Sequence, residues 1–329
     1  MATVAVTGAG TALGRTVLER LRAERAVEAI DLSEPELLAA LDGSVVVVHC
    51  ALQPWPAWDE DAAFAHTVHA SRKLLDTAAK VGVRKLIVVS SAMVYGAHPD
   101  NELPLAEDAI ARANPDFAGA YQLMLAEHLV EEWADGHPAV TVTVLRPAIT
   151  LGPGIDGPVP RHLESPRLPL IRGQSAPLQF VHVDDVAAAV QLAVAADLPG
   201  RFNVAADGWL PVTEVCALLG RRPITLPEAT AFEAVRWLWG HRLWHMPPGA
   251  LSYLMYPCVV TAERLEAHGW APAWSNREIL REFANAHHAY LAIGCFRARR
   301  RTLYAFALAA AGLSGLWLGG RLDARRHCP

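Results

Sequence analysis

The order of apolar and polar positions divides the first half of the chain into alternating strands and helices. Residues 4–7 form a short apolar run that stops at Gly8-Ala9-Gly10. Leu13, Val17, Leu18 and Leu21 then recur at helical spacing, with Arg15, Glu19, Arg20 and Arg22 on the other faces. This reads as strand, glycine turn, helix. A second strand is expected over 27–32, then a short helix from about 34 to 41. Residues 45–50 open with four consecutive valines, a run that suits a parallel strand buried on both faces. A helix over 64–80 leads into a strand over 85–91, and a helix over 121–133 into a strand over 140–145. Alternation of this kind predicts an α/β fold, a Rossmann-like doubly wound parallel sheet occupying residues 1–150.

The second half is patterned differently. Pro and Gly cluster from 151 to 177, which predicts an irregular segment over a cleft. Residues 151–290 read as a smaller, mixed substrate-binding lobe whose chain interleaves with the sheet near 178–205. The segment 232–256 carries Trp237, Trp239, Trp244, Tyr253 and Tyr256 among few charges. Two readings stand: a helical lid packed on the second lobe, or aromatics that line a pocket for an apolar or ring-bearing substrate or touch a membrane surface. Residues 297–329 form a tail in which 302–320 lack charge and arginines flank both sides. That length meets the lower range for a membrane span, so the tail reads as an anchor or interfacial helix, or as an apolar helix packed on the body or on a partner in a homodimer.

Composition narrows the function classes. The chain has 329 residues, 52% of them apolar, enough for a large core and too many for a disordered chain. The net charge of -5, without a Lys/Arg stripe before the tail, argues against a nucleic-acid surface. Cys50, Cys216, Cys258, Cys295 and Cys328 are scattered without a C-x-x-C pair, against a disulfide framework or a zinc site. Asp184-Asp185 reads as a helix start rather than a metal pair. The first residues show no signal-peptide pattern, so a cytoplasmic location is expected, with the tail as the segment able to bring the protein to a membrane.

Gly8, Gly10 and Gly14 follow the spacing G-x-G-x-x-x-G where a strand passes into a helix. Such a turn brings backbone N–H groups and the positive helix end against a pyrophosphate. With that turn in place, the chain over about residues 3–275 resembles the extended short-chain dehydrogenase/reductase superfamily, of the NAD-dependent epimerase/dehydratase type. The resemblance is carried by Val6-Thr7-Gly8-Ala9-Gly10-Thr11-Ala12-Leu13-Gly14, Val47-Val48-His49-Cys50-Ala51 and Val89-Ser90-Ser91-Ala92-Met93-Val94-Tyr95-Gly96. Tyr121, Leu145-Arg146-Pro147-Ala148, the segment 180–187, Gly200-Arg201-Phe202-Asn203-Val204 and Gly269-Trp270-Ala271-Pro272 continue it.

The resemblance implies that Ser91 and Tyr121 are catalytic, the tyrosine exchanging a proton with a substrate hydroxyl and the serine bonding the same oxygen. It implies that Gly8, Gly10, Thr11, Leu13, Gly14, Ala51 and Pro147, with Asp31 and Leu32, hold NAD or NADP. The implied substrate is a small hydroxyl-bearing molecule, with nucleotide sugars the family's usual choice. Asp31 has two readings: it ends the second strand and binds the adenosine ribose, 23 residues after Gly8, or Asp31-Leu32 is the family's later pair near the adenine and one strand has been lost.

The chain also departs from the family. The lysine expected four residues after the tyrosine is Leu125; residues i and i+4 share a helix face, so an ammonium there would reach the phenolate, and a leucine cannot. A free tyrosine, with a pKa near 10, needs such help to work near neutrality. Lys73, Lys80 and Lys85 are the only lysines, and all precede Tyr121. Thr11 stands at the loop's middle glycine, Thr67 and Ile149 where the family often has asparagine. Two functions follow: an NAD(P)-dependent epimerase, dehydratase or oxidoreductase with an altered site, or an inactive dinucleotide-binding or membrane-associated scaffold.

Overall fold

The computed structural model describes residues 3–32, 37–50, 52, 58–299 and 301–302. Strands β1 (Thr3–Thr7), β2 (Val27–Ile30), β3 (Ser44–His49), β4 (Lys85–Val89) and β5 (Thr141–Pro147) alternate with helices α1 (Ala12–Arg22), α2 (Leu37–Leu41), α3 (Glu60–Phe64), α4 (Ala70–Val81) and α5 (Ala118–Gly136). The chain continues through β6 (Ile149–Leu151), α6 (Pro158–Leu163), β7 (Arg167–Ile171), β8 (Phe180–His182), α7 (Val183–Ala195) and β9 (Gly200–Val204). It closes with α8 (Val212–Leu218), β10 (Arg222–Leu226), α9 (Glu228–Gly240), α10 (Ser252–Met255), α11 (Glu263–Glu266), α12 (Asn276–His287) and the hairpin strands β11 (Tyr290–Ile293) and β12 (Phe296–Arg299).

Six strands form one parallel sheet in the order β2-β1-β3-β4-β5-β9. Strand periodicity sorts its side chains into two cores. Val4, Val6, Val46, Val48, Ile87 and Val89 pack with α1 and α7 on one face. Ala5, Val47, Leu86 and Val88 pack with α2, α4 and α5 on the other. Both faces are covered, which is why these strands read as nearly continuous apolar runs. The doubly wound α/β architecture expected from the pattern is present.

Several local features differ from the expected ones. Among the described residues the sheet ends at β2, whose register pairs Ile30 with Thr7, so Asp31 follows the second strand level with Gly8. The helix expected over 64–80 is broken by a π turn over Ala65–His69 between α3 and α4. The stretch 151–177, expected to be irregular, carries α6 and β7. Pro158 starts α6, where a missing N–H costs nothing. Pro169 is tolerated in β7 because that strand pairs on one side only, with β10.

Buried polar bonds tie elements that are distant in sequence. Arg146 on β5 and Glu127 on α5 are both fully buried, with Nη2 of the arginine 2.5 Å and Nε 3.0 Å from Oε2. The guanidinium lies 4.7 Å over the Tyr95 ring, and Tyr95 donates to Asn203 Oδ1 on β9 at 2.9 Å. Asp184 and Asp185 fall in the first turn of α7, and the Asp185 carboxylate accepts from the backbone N–H groups of Ala273 and Trp274. Arg297 on β12 bonds the fully buried Glu164 carboxylate, which also meets His287 Nδ1 at 2.5 Å. The hairpin's Ala292 N–H donates to Glu164 O, and Cys295 N–H donates to Leu243 O. Arg297 and Arg299, read with the tail from sequence, therefore sit on a strand of the body.

Residues 303–329, on which the readings of a membrane anchor or dimer helix rest, lie outside the described residues, as does Ala51. Among the described residues no helix is long and apolar enough to cross a membrane.

Candidate active site

The first βα turn is built by three residues with different tasks. Gly8 has φ 74°, a left-handed conformation that turns the chain sharply after β1. Gly14 lies where a Cβ would stand 2.1 Å from Gly8 O, so only glycine lets α1 pack directly on the turn. Thr11 caps α1: its hydroxyl accepts from Gly14 N–H at 3.0 Å and donates to Gly8 O at 2.8 Å. Gly10 has nothing within 4 Å of where a Cβ would stand and faces open space. The first N–H groups of a helix have no partner within it, and no acidic residue occupies the first turn of α1. The turn thus suits an anion such as a dinucleotide pyrophosphate.

This turn opens on a cleft of about 380 Å³. Gly10 and Thr11 line it from the turn and Leu13 from α1, Ser90, Ser91 and Met93 from the chain after β4, and Pro147 and Ala148 from the end of β5. Gly8 and Gly14 support the turn from behind. Asp31 and Leu32 are not among the described lining residues. Leu32 packs on the core, and its carbonyl accepts from Lys73 at 3.4 Å. The sheet places Asp31 just after the end of β2, one strand away from the turn.

Ser91 is buried, caps the 3-10 turn over Ala92–Tyr95, and accepts from Met93 N–H at 3.2 Å. That bond uses an oxygen lone pair and leaves the hydroxyl proton for another oxygen. Tyr121 sits in the first turns of α5 (Ala118–Gly136), half-buried against the core that α4 and α5 share, and outside the cleft's lining. Leu125 follows one turn later on the same face. None of the three lysines lines the cleft. Lys73 and Lys80 border a separate surface groove, and Lys85 bonds the carbonyls of Val194 and Ala196.

His49 and Cys50, at the end of β3, are structural in character. His49 bonds Thr7 Oγ1 at 2.7 Å and Ser71 Oγ at 3.3 Å, and burial, with His66 nearby, pushes its pKa down to about 4. Cys50 lines the cleft, but burial pushes its thiol up to about 12 and leaves it a poor nucleophile.

Sequence reading missed part of the wall. A smaller cavity adjoins the cleft, lined by His162 and Leu163 from α6, Gln179 and Phe180, and Met246, Ala250, Tyr253 and Leu254. The aromatic-rich segment 232–256 was its one visible signal, and the pocket-lining reading of that segment holds for Tyr253. Trp237 is instead exposed, at 58%.

Comparison with known proteins gives this geometry relatives. The chain is 27% identical over 202 residues to an uncharacterised protein of Mycobacterium tuberculosis, covering 61% of this chain and 54% of that one. It therefore spans about half the length of the mycobacterial relatives it matches. It is 29% identical over 255 residues to a 3-diazoavenalumate denitrifying reductase of a Streptomyces species, covering 71% of this chain and 81% of that one. Its fold is similar to that of the Thermus thermophilus UDP-glucose 4-epimerase, crystallised with NAD, with a TM-score of 0.68, 21% identity, and coverage of 87% and 99%. The sequence pattern of one family matches residues 4–205, more than half the chain, and the protein belongs to the NAD dependent epimerase/dehydratase family.

Proposed function

We propose that the protein is an NAD(P)-dependent oxidoreductase or epimerase acting on a small hydroxyl- or carbonyl-bearing substrate. The observation that carries this reading is the single cleft that joins Gly10, Thr11 and Leu13 to Ser91 and Pro147. The related solved structures crystallised with NAD, among them the Thermus epimerase, support a dinucleotide in that cleft.

A nicotinamide held there supplies or accepts hydride. The residues of this chain do the rest. Backbone N–H groups at the start of α1 would hold the pyrophosphate, with the Arg15 guanidinium beside them, bonded to Gly10 O at 2.7 Å. Asp31, level with Gly8, accepts from the adenosine ribose hydroxyls. Ser91 donates to the substrate oxygen that gains or loses a proton, and Tyr121, which stands outside the cleft's lining, exchanges that proton only through an intervening solvent or substrate group. With Leu125 in place of an ammonium, Tyr121 relies on substrate or solvent for help, so turnover is slow near neutral pH. Leu125 also favours a second reading, a dinucleotide-binding protein without turnover.

Calorimetric titration with NAD, NADH, NADP and NADPH tests the proposal. One-to-one saturable binding of at least one of them is expected, with NAD forms preferred because Asp31 repels a 2′-phosphate. Folded protein that binds none of the four sinks the redox reading.

A further inference from the structure

The hairpin of β11 (Tyr290–Ile293) and β12 (Phe296–Arg299) lies on the body with its faces inverted. Its register pairs Tyr290 with Arg299, Leu291 with Ala298, Ala292 with Arg297 and Ile293 with Phe296. Side chains alternate between the two faces of a strand, and directly opposed residues share a face. One face therefore carries Tyr290, Ala292, Arg297 and Arg299, and the other only Leu291, Ile293, Phe296 and Ala298.

The polar row meets the body. Ala292 is fully buried. Arg297 bonds the buried Glu164 carboxylate through Nε at 2.8 Å and Nη2 at 2.6 Å, and its Nη1 lies 3.8 Å from Asp156 Oδ2. The same guanidinium stands 4.2 Å over the Tyr290 ring, whose Oη accepts from Arg299 Nε at 3.4 Å. The turn is fixed as well: Cys295 N–H donates to Leu243 O, and His245 Nδ1 donates to Gly294 O at 3.0 Å. The apolar row faces outward, with Ile293 63% and Phe296 71% exposed. An antiparallel ribbon with one wet face ordinarily lays its apolar side on the core. Here the arginine bonds to Glu164 and Asp156 pin it the other way round, and nothing among the described residues covers the outer row.

Charge decides what covers it. Residues 283–322 contain no Asp or Glu and five arginines (Arg297, Arg299, Arg300, Arg301 and Arg321), in a chain whose net charge is -5. Arg299 and Arg301 are exposed, at the end of β12 and just past it. A second copy related by a two-fold axis would bring this patch against itself, arginine against arginine. The segment 302–320, next in sequence, is uncharged and offers the arginines no partner. Anionic lipid headgroups do, and the acyl boundary beneath them takes apolar side chains. Apolar insertion or a basic patch alone binds marginally, and the two together hold a protein at a membrane.

We propose that the outer face of this ribbon is a membrane-docking surface. Ile293 and Phe296 insert at the headgroup–acyl boundary of an anionic bilayer, and Arg299 and Arg301 meet its headgroups. Docking of this kind needs no membrane-spanning helix and is independent of the reaction in the cleft.

The test is co-sedimentation of the full chain with vesicles of phosphatidylcholine, and of phosphatidylcholine mixed in equal parts with phosphatidylglycerol. Binding to the mixed vesicles is expected, well above that to the neutral ones and falling as salt rises. The Ile293→Ser, Phe296→Ser double variant should bind at least about tenfold more weakly with Tm unchanged, because both positions are exposed. Arg301→Gln should weaken binding about fivefold, the worth of one arginine at an anionic surface. In the otherwise native chain, 4-cyanophenylalanine in place of Phe296 should show its nitrile stretch moving to an apolar-solvent frequency when mixed vesicles are added. Full binding by the double variant, or a nitrile that stays water-like, would place any membrane contact outside the ribbon and overturn the assignment. A full chain that leaves the mixed vesicles unbound, or a dimer in solution that the double variant dissolves, would overturn it equally.

Discussion

Tyr253 and Met93 lie 160 residues apart and are joined by one hydrogen bond of 2.7 Å, from the phenol to the backbone carbonyl. The carbonyl belongs to the turn that Ser91 caps, so this bond ties the second lobe to the proposed catalytic serine. The Tyr253 ring packs edge-on against Phe117 at 5.5 Å, and burial raises its pKa well above 10, which makes it a permanent donor.

Removing that donor isolates the contribution. Tyr253→Phe keeps the ring and leaves Met93 O with the Gly96 N–H as its remaining donor, so it should lower stability by about 0.5–1.5 kcal/mol. Urea denaturation reads the effect, and an unchanged midpoint would show that the Gly96 N–H alone satisfies the Met93 carbonyl.

The glycine turn separates packing from ligand approach. A Cβ at position 14 would meet Gly8 O at 2.1 Å, backbone against backbone, whereas a Cβ at position 10 meets nothing within 4 Å. Gly14→Ala should therefore reduce dinucleotide affinity at least tenfold and lower Tm. Gly10→Ala should leave Tm unchanged and weaken binding only through the ligand. Equal loss of Tm in the two variants would contradict this division.

Leu125→Lys restores an ammonium one turn after Tyr121. If the cleft is otherwise intact, kcat should rise by at least tenfold and its pH profile should shift toward neutrality. No gain, with dinucleotide binding preserved, would favour the reading without turnover. The substitution sits on a half-buried position, so circular dichroism must first establish that the variant folds.

Breaking the buried Glu127–Arg146 pair should be costly. Glu127→Ala leaves a guanidinium with 0% exposure uncompensated, an expected loss of about 3–5 kcal/mol. A Glu127→Met, Arg146→Met double variant should lose less than the single one, and a thermodynamic cycle measured in urea would reveal it.

Three buried histidines give the fold an acid limit. His49 and His245 have pKa values pushed down to about 4 and His162 to about 3, each mainly by burial. Above about pH 6.5 these groups are neutral in both folded and unfolded chains and add no pH dependence. As pH falls below 6.5 the unfolded chain takes up protons that the folded one refuses, so stability drops by about 2 kcal/mol per histidine at pH 5. For His49 and His245 the loss levels off below about pH 4. Denaturation midpoints at pH 7 and pH 5 test this, and His162→Asn should reduce the difference by about a third.

Much of the fold was legible because local sequence encodes it. Buried parallel strands must be apolar throughout, so Val45–Val48 and Leu86–Val89 announce themselves; the glycines of the first turn are forced by φ and by close packing. The missing lysine at Leu125 was legible by position alone. The pocket was not. His162, Gln179 and Tyr253 come from separate elements, and nothing local distinguishes a histidine with an unpaired Nδ1 from any other. The Glu127–Arg146 pair was hidden for the same reason: it joins a helix to a strand across the core, and each residue alone reads as a surface charge. The α6 and β7 segments were hidden by their prolines, which are permitted at a helix start and on a singly paired strand.

The hairpin of β11 and β12 touches both walls of the pocket. It bonds α6 through Glu164 and the chain before Met246 through Leu243 O, with Gly294 O receiving His245. It works as a clasp fastened last. In a chain made from its N-terminus, the cavity beside the cleft acquires its final walls only when residues 290–299 arrive, more than a hundred positions after His162, so a protein cut short before Tyr290 would keep the glycine-turn cleft and lose the definition of the cavity beside it.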